Sequence, residues 1–368
     1  MKIAVTGAGG FVGKNLLVRL GEAGHDDVAA ITRETGEPEL EAAIAGADVI
    51  FHLAGANRPA REEEFGAVNR DFTARVTEIV ERAGTRPLLI YTSSTKAAED
   101  HPYGRSKRDA EAVLTDFGAR SGATVVIQRL PNIFGKWARP NYNSAVATFC
   151  HNIARGLDIT VNDPAAPLQL LYVDDLIDQW LELLKAPPTA SGVVAPTTVY
   201  ETTVGAVADT IRGFAADRGT AMIAEVGTGL TRALYATYVA GMPESDFAYP
   251  LVAHTDPRGS FSEMLKTRTS GQFSYFTAHP GVTRGGHYHH TKTEKFLIVH
   301  GEALFRFRHI LTGATHEVRT SAAEPVVVET IPGWAHDVTN VGEDVMVSLL
   351  WANEIFDRQR PDTIAAKV

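Results

Sequence analysis

Residues 2–13, KIAVTGAGGFVG, join a short apolar run to a glycine-rich turn and then to residues with helical spacing. That order constrains the fold more than any other stretch of the chain. Residues 2–6 read as a strand closed by Gly7, and Phe11, Val12, Leu16, Leu17 and Leu20 mark one face of a helix over 11–23. Gly7 permits the tight turn, Gly10 lets the backbone approach a bound anion, and Gly13 lets helix and strand pack closely. The free N–H groups at the helix start offer partial positive charge to a pyrophosphate. The spacing therefore predicts a dinucleotide site, against the plainer reading of a turn that serves packing alone.

The pattern then repeats. Strand-like runs at 28–32, 48–53, 88–91 and 123–129 alternate with helical stretches at about 61–83 and 103–119. Alternation of this kind builds right-handed βαβ units and a parallel sheet, and near-continuous apolar strands suit a sheet covered on both faces. An acidic residue at the end of the second strand ordinarily binds the adenosine ribose. Here the strand ends Ile31-Thr32-Arg33-Glu34. Arg33 suits a 2′-phosphate and so NADP, Glu34 keeps NAD open, and a solvated loop cation is the bland alternative for Arg33.

From about residue 132 the alternation loosens. Residues 140–156 read as a loop leading into a helix, 171–185 as a strand end and helix, and 200–240 as mostly helical. AGMPESDFAYPL (240–251), with two prolines, marks a boundary, giving domains 1–243 and 244–368. A chain of 368 residues exceeds what one core usually supports. Beyond the boundary, short alternating runs such as FSYFTA, KFLIV and ALFRFRHI, separated by glycine and proline turns, predict an all-β sandwich or barrel.

Composition narrows the partners. A net charge of −9 argues against nucleic acid, because a phosphate backbone rewards a basic surface. The single cysteine, Cys150, allows no intrachain disulfide and fits a reducing compartment. The first residues enter a strand-like run with no signal-peptide pattern, and no apolar run approaches the roughly 20 residues that span a bilayer. The expectation is a cytoplasmic chain without membrane insertion.

Tyr103 and Lys107 are four residues apart at the start of the helix over 103–119, so they share a face. An ammonium beside a phenol stabilises the phenolate and brings its pKa toward a value useful for proton transfer. The hydroxyls of YTSST (91–95) end a strand at the carboxyl edge of the sheet. With HLAG at 52–55, Asn69, Ser93-Ser94 and Tyr-x-x-x-Lys in this order, the N-terminal half resembles the extended short-chain dehydrogenase/reductase family. The resemblance implies a Rossmann-like α/β domain binding NADP(H) through Gly7, Gly10, Phe11, Gly13, Arg33, Leu53, Ala54 and Gly55, with Tyr103 and Lys107 also touching the cofactor. It implies Tyr103 as acid/base, Lys107 as the group that lowers its pKa and orients the nicotinamide ribose, and Ser94 as the group polarising a carbonyl. Ser93 is the substitute for Ser94, and Asn69 supports the site or the fold. Sugar-nucleotide dehydratases of that family carry an acidic pair after the catalytic hydroxyl; here Ser94 is followed by Thr95-Lys96-Ala97, with no carboxylate before Glu99, which argues against dehydration.

The loop RLPNIFGKWARPNYNS (129–144) supplies Asn132, Lys136, Arg139, Asn141 and Asn143. Such polar and cationic groups suit a sugar diphosphate, the alternative being a solvated loop. Asp174 and Asp175 in YVDDL recur near the substrate pocket in the same family, or cap the helix that follows.

VTRGGHYHHTKTEKFLIVHG (282–301), with Gly281, fits G-x5-H-x-H-x4-E-x6-G through His287, His289, Glu294 and Gly301. This resembles the first motif of the cupin barrel; PGWAH, with His336, and Asn340 resemble the second without its leading glycine. On a strand His287 and His289 share a face. A hairpin return brings Glu294 near, and His336 comes from another strand. Three imidazoles and a carboxylate suit a divalent metal, zinc first, with iron, nickel or manganese as alternatives, against a barrel lining without metal. His279, His290 and His300 read as surface or supporting residues, with His290 and Lys292 kept as acid/base candidates.

Along nearly its whole length the chain resembles the bifunctional capsular-polysaccharide enzymes of UDP-N-acetyl-L-fucosamine biosynthesis. RLPNIFGKWARPNYNSAVATFCHNIARG, HPYGRSK and GGHYHHTKTEKFLIVHGEALFRFR carry the likeness. It implies a homodimer whose zinc-bearing cupin epimerises C3 of a UDP-2-acetamido-2,6-dideoxy-4-hexulose and whose N-terminal domain reduces the C4 ketone with NADPH, giving the L-talose-configured product. The alternatives are a reductase whose cupin only binds sugar or dimerises, and a redox-neutral epimerase that recycles bound NAD.

Overall fold

The computed structural model describes residues 1–57 and 61–368 and divides into two units, Met1–Arg212 with Thr228–Pro243, and Gly213–Gly227 with Glu244–Val368. The chain passes between the units at 212/213, 227/228 and 243/244. Residues 213–227 group with the second unit because a two-residue strand within them joins its sheet. No local sequence pattern announces that pairing.

In the first unit the order is β1 (Ile3–Thr6), α1 (Phe11–Glu22), β2 (Val28–Ile31), α2 (Glu37–Ala45), β3 (Val49–His52), α3 (Glu63–Phe65), a π-helical turn (Gly66–Asp71), α4 (Phe72–Ala83), β4 (Leu88–Ser94), a 3₁₀ turn (Thr95–Ala98), α5 (Pro102–Ser121) and β5 (Val125–Leu130). Then follow β6 (Asn132–Phe134), α6 (Ala145–Ile153), β7 (Pro167–Tyr172), α7 (Val173–Lys185), β8 (Gly192–Val193), β9 (Tyr200–Thr203), α8 (Val204–Arg218, which runs across the 212/213 crossing) and α9 (Gly229–Ala240).

Six strands form an all-parallel sheet in the order β2-β1-β3-β4-β5-β8. One face buries Val5, Phe51, Ile90 and Val126 with Leu16 and Leu20 of α1 and Leu176, Ile177 and Trp180 of α7. The other buries Ala4, Ile50 and Leu89 with α2, α4 and α5 through Ile44, Ile79, Val80, Leu114 and Phe117. Each buried Leu or Ile contributes about 1.5–3 kcal/mol, so the double cover holds the strand ends in fixed register. Strand order reverses at β1, which lies between β2 and β3, and ligands bind at such a switch point beyond the carboxyl ends of the strands. A small sheet, β6-β7-β9, lies off this one.

The second unit holds β10 (Met222–Ile223), β11 (Ala253–Asp256), β12 (Gly259–Thr267), β13 (Gly271–Ala278), β14 (Thr283–Tyr288), β15 (Glu294–His300), β16 (Glu302–His309), β17 (Thr315–Ser321), β18 (Val327–Glu329), β19 (Trp334–Asn340), β20 (Met346–Ala352) and β21 (Ile364–Ala365). A seven-stranded sheet runs β10-β12-β13-β20-β15-β18 with β11 on β12, and a five-stranded sheet runs β17-β16-β19-β14-β21. All pairings are antiparallel except β10 with β12. Alternation points Phe276, Phe296, Ile298, Phe305, Phe307 and Val338 into one core. This is the all-β barrel of cupin type that the histidine motif implies. Among the described residues no helix is long and apolar enough to cross a membrane.

Candidate functional sites

In the first unit the glycine turn is tight because it has to be. Gly7 takes φ 70°, and a Cβ there would lie 2.7 Å from the Ala54 nitrogen. A Cβ on Gly13 would lie 2.5 Å from the Gly7 carbonyl oxygen. α1 begins after Gly10 with no side-chain cap and no acidic residue in its first turn. Among the described residues its leading N–H groups receive no side-chain cap, which fits a pyrophosphate.

The loop after β3 is locked to that turn. Ala54 N–H donates to the Thr6 hydroxyl at 3.2 Å. Thr73 donates to the Asn69 carbonyl, so the His52 Nε2–H donates to Thr73 and the Thr6 hydroxyl donates to Nδ1, at 2.9 and 2.8 Å. Burial lowers the His52 pKa to about 3, which keeps this connector neutral. Asn69, on the π-helical turn, exchanges two hydrogen bonds with the Ala56 backbone and donates to Ser106 on α5 at 2.9 Å. Asn69 therefore joins the cofactor-side loop to the helix that carries Tyr103. π-Helical turns often mark such functional positions.

α5 starts where it does because His101 accepts from Gly104 N–H at 3.1 Å and Pro102 supplies the first helical φ. This puts Tyr103 in the first turn, half-buried, with its ring 5.7 Å from Phe65 and 6.2 Å from His101. Burial raises the Tyr103 phenol and a hydrogen bond with Ser94 partly offsets this. The net direction opposes the lowering expected from Lys107. Lys107 is buried, and its ammonium donates to the Thr92 carbonyl at 2.9 Å and the Tyr91 hydroxyl at 3.3 Å. Burial brings its pKa down to about 8. A phenol kept protonated suits delivery of a proton to a ketone oxygen.

Strand alternation separates the two serines. Ser93 points inward and donates to the buried Glu111, which also pairs with Arg129. Ser94 lies half-exposed beside Tyr103 and accepts from Lys96 N–H at 3.2 Å. The geometry favours Ser94 as the hydroxyl facing a carbonyl. Gly55 is bare where a Cβ would come within 3.2 Å of the Lys107 Nζ.

The substrate-loop residues divide. Lys136 pairs with Asp174 at 2.6 Å, so its charge is already balanced. Asn132 donates to the Gln169 carbonyl at 3.5 Å. Arg139 lies 5.3 Å over the Tyr142 ring and, like Asn143, is exposed. Asn141 takes φ 54° and its N–H donates to Thr148. Asp174 and Asp175 do not cap α7. Tyr172 occupies the cap, and Asp175 accepts from Tyr200 at 2.9 Å and pairs with Arg232 at 3.2 Å. Arg33 is exposed at the end of β2, while the neighbouring Glu34 carboxylate accepts from Thr32 at 2.6 Å.

In the second unit His287 on β14 sits opposite His336 on β19, His289 follows β14, and Glu294 opens β15. One donor atom from each lies within 4.8 Å of the others. The three rings stand 4.8 to 5.1 Å apart. His289 Nδ1 donates to the Asp362 carbonyl and His336 Nδ1 to the Trp334 carbonyl. With Nδ1 so engaged, each ring turns its Nε2 toward the cluster, that of His289 lying 3.3 Å from the Glu294 carboxylate. His336 Nε2 is buried without a hydrogen-bond partner, 3.5 Å from the Glu294 carboxylate. Burial would raise Glu294, but His289 and His336 outweigh it and hold its carboxyl well below the usual range. A carboxylate and three imidazoles with converging lone pairs fit a divalent cation such as zinc. A cavity of about 340 Å³ lined by Phe307, Val318, Val328 and Trp334 opens nearby, the Phe307 ring lying 6.4 Å from His336. His290 is exposed, and Lys292 is buried with its ammonium on Thr363 at 2.9 Å. His279 and His300 are exposed, and Asn340 is buried on the Ala278 and Asp344 carbonyls.

Residues 3–195 match the NAD dependent epimerase/dehydratase family, and residues 254–364 match the polysaccharide biosynthesis C-terminal domain. The chain is 51% identical over 368 residues to UDP-2-acetamido-2,6-beta-L-arabino-hexul-4-ose reductase of Pseudomonas aeruginosa, covering 100% of this chain and 99% of that one. The crystal structure of capsular polysaccharide assembling protein CapF from Staphylococcus aureus superposes with a TM-score of 0.93 at 41% identity over 100% of both chains. A UDP-glucose 4-epimerase from Thermus thermophilus in complex with NAD aligns with 66% of this chain and 99% of its own, at a TM-score of 0.53 and 18% identity, a likeness of fold alone.

Proposed function

This chain belongs to the NAD dependent epimerase/dehydratase family, and on that footing we propose that it is a bifunctional nucleotide-sugar enzyme. The first unit reduces the C4 ketone of a UDP-2-acetamido-2,6-dideoxy-4-hexulose with NADPH, and the second epimerises C3 of the same sugar. The product, UDP-2-acetamido-2,6-dideoxy-L-talose, is a precursor of UDP-N-acetyl-L-fucosamine for capsule or surface polysaccharide. The observation that carries this reading is the presence, in one chain, of a Ser94–Tyr103 pair at the sheet edge and a four-donor cluster in the barrel. The name of the full-length Pseudomonas relative, a hexulose reductase, supports it. The same reading makes the metal zinc, the working form a homodimer and the compartment the cytoplasm.

A 4-ketone acidifies the proton on C3, so epimerisation needs that proton removed from one face and returned to the other. His287, His289, Glu294 and His336 would hold a divalent ion, which when bound would supply positive charge to offset electron density gained by the ketone oxygen. In the first unit the nicotinamide, when bound, would supply the hydride for C4. Ser94 hydrogen-bonds the C4 oxygen, and Tyr103 gives that oxygen its proton, so the ketone becomes an alcohol. Lys107 keeps a positive charge beneath the site and orients the ribose. Gly7, Gly10 and Gly13 admit the pyrophosphate, with Phe11 and Leu53–Gly55 at its sides.

The test is product NMR after incubation with the UDP-4-keto-6-deoxy sugar in deuterated water, with and without NADPH. Deuterium at C3 without NADPH and the talose-configured alcohol with it are expected. Reduction with no C3 exchange would reduce the barrel to a binding module, and turnover without net NADPH oxidation would make the enzyme a redox-neutral epimerase.

Cofactor choice is expected to rest on Arg33. Because Glu34 is already turned to Thr32, Arg33 is the charged group left to meet a 2′-phosphate. Arg33→Ala should weaken NADPH binding about 10- to 100-fold, the worth of one charge-assisted contact, and NADH binding little. Titration of both cofactors checks this; equal losses make Arg33 a bystander.

A further inference from the structure

The C-terminal segment of the second unit is built into the donor cluster. β21 pairs with β14, with Ala365 opposite His287 and Ile364 opposite Tyr288. Ala366 N–H donates to the Gly286 carbonyl at 3.0 Å, and Arg308 Nε donates to the Lys367 carbonyl at 2.8 Å. The strand that carries one ligand therefore has the end of the chain as its outer neighbour.

Asp362, just before β21, does more than pass by. Its carbonyl accepts from His289 Nδ1 at 2.5 Å. Its carboxylate accepts from three consecutive backbone N–H groups, those of His290, Thr291 and Lys292, at 3.0, 2.8 and 2.9 Å, and from the Thr291 hydroxyl at 3.1 Å. The neighbouring Thr363 accepts the buried Lys292 ammonium. Asp362 adopts φ 32°, in the left-handed region that a non-glycine residue enters only when its surroundings impose it. The loop between the second and third ligands thus converges its donors on one carboxylate, and the same residue fixes the tautomer of the second ligand. Lys292, an acid/base candidate in sequence, is by this geometry part of a scaffold through its ammonium, whereas His290 lends only its backbone N–H and keeps its side chain exposed.

We propose that Asp362 is the positioning residue of the barrel's metal site: its carbonyl fixes His289 with Nε2 turned toward the cluster, its carboxylate holds the 290–292 loop, and the strap through Lys367 completes the ligand-bearing sheet. The proposal rests on reading the cluster of His287, His289, Glu294 and His336 as a divalent-metal site. Partners of this kind set the orientation and basicity of a ligand, and losing one lowers metal affinity about 10- to 100-fold.

The test uses full-length wild type, Asp362→Asn and Asp362→Ser, with Glu343→Gln, an exposed carboxylate of the same unit, as control. Asparagine keeps the shape but turns an NH₂ group toward donors. Serine removes both carboxylate oxygens and leaves a shorter hydroxyl. Zinc affinity is measured by chelator competition, and thermal unfolding is followed for the stripped and zinc-loaded forms. NADPH binding reports on the first unit. Expected is a zinc affinity lower by about 10- to 100-fold in both Asp362→Asn and Asp362→Ser, with the zinc-induced rise in unfolding temperature reduced and NADPH binding and the control unchanged. A purely structural role would lower the unfolding temperature of both forms equally and leave zinc affinity alone, which overturns the proposal. If Asp362→Asn does not yield folded protein, Asp362→Ser decides by the same criterion. Wild type that binds no zinc overturns the cluster reading and with it this one; wild type that binds zinc beside variants that bind it equally well overturns only the role of Asp362.

Discussion

Replacing Tyr103 by phenylalanine is expected to cut ketone reduction by about 100-fold or more while leaving the fold and cofactor binding in place. The hydroxyl is the only group lost. The ring contacts with Phe65 and His101 are retained, so the stability change should not exceed the worth of the single hydrogen bond with Ser94, about 0.5–1.5 kcal/mol. The measurement is NADPH oxidation with the 4-keto sugar, beside a direct NADPH titration. Oxidation at near wild-type rate would remove Tyr103 from the mechanism. The pH profile of the wild type adds an independent check. Burial lowers Lys107 to about 8 from its ordinary 10.5, so the ammonium is lost as pH rises through the lower value. Reduction should therefore decline on the alkaline side from about pH 8. Stability should move the other way. Between the two values the unfolded chain binds a proton that the folded one does not, so Lys107 makes the protein more stable as pH rises across that window.

Why Tyr103 was legible in the sequence, and other residues were not, follows from the range of the signals. Gly7, Gly10 and Gly13 announce themselves because the turn they make is local, and Tyr103 and Lys107 because one helical turn joins them. Strand alternation carries the same kind of information for His287 and His289, and for the apolar faces of the barrel. The choice between Ser93 and Ser94 needed the pleat direction of β4, which Glu111, 18 residues away, reveals by taking Ser93 inward. Lys136 looked like a free cation because nothing nearby in sequence says that Asp174, 38 residues on, balances it. The spacing of Tyr103 and Lys107 predicts a lowered phenol, but the ammonium turns from α5 to Tyr91 and Thr92 on β4. Asp362 gave no signal, lying 73 residues from the histidine it orients. Residues 213–227 likewise joined the second unit through β10, a strand too short to show in any window.

Replacing His289 by alanine is expected to empty the barrel site and to abolish most C3 exchange, while NADPH binding in the other unit persists. The four donors converge within 4.8 Å, and two of them are set by hydrogen bonds at the far ring nitrogen. Removing one imidazole leaves three donors and an open position, so metal affinity falls steeply. Glu294 then keeps only His336 of the two imidazoles that hold it ionised in a buried place, and a buried charge left short of partners costs about 3–5 kcal/mol. A lower unfolding temperature of the second unit should accompany the loss of metal. Metal analysis of purified wild type and variant, paired with C3 deuterium exchange in the absence of NADPH, separates the outcomes. No stoichiometric metal in the wild type would end the metal reading. A metal-free variant that still exchanges the C3 proton at full rate would leave the ion a structural part. His290, exposed beside the cluster and 5.4 Å from the Tyr288 ring, would then be the first side chain to test as the base, because Lys292 is already held by Thr363.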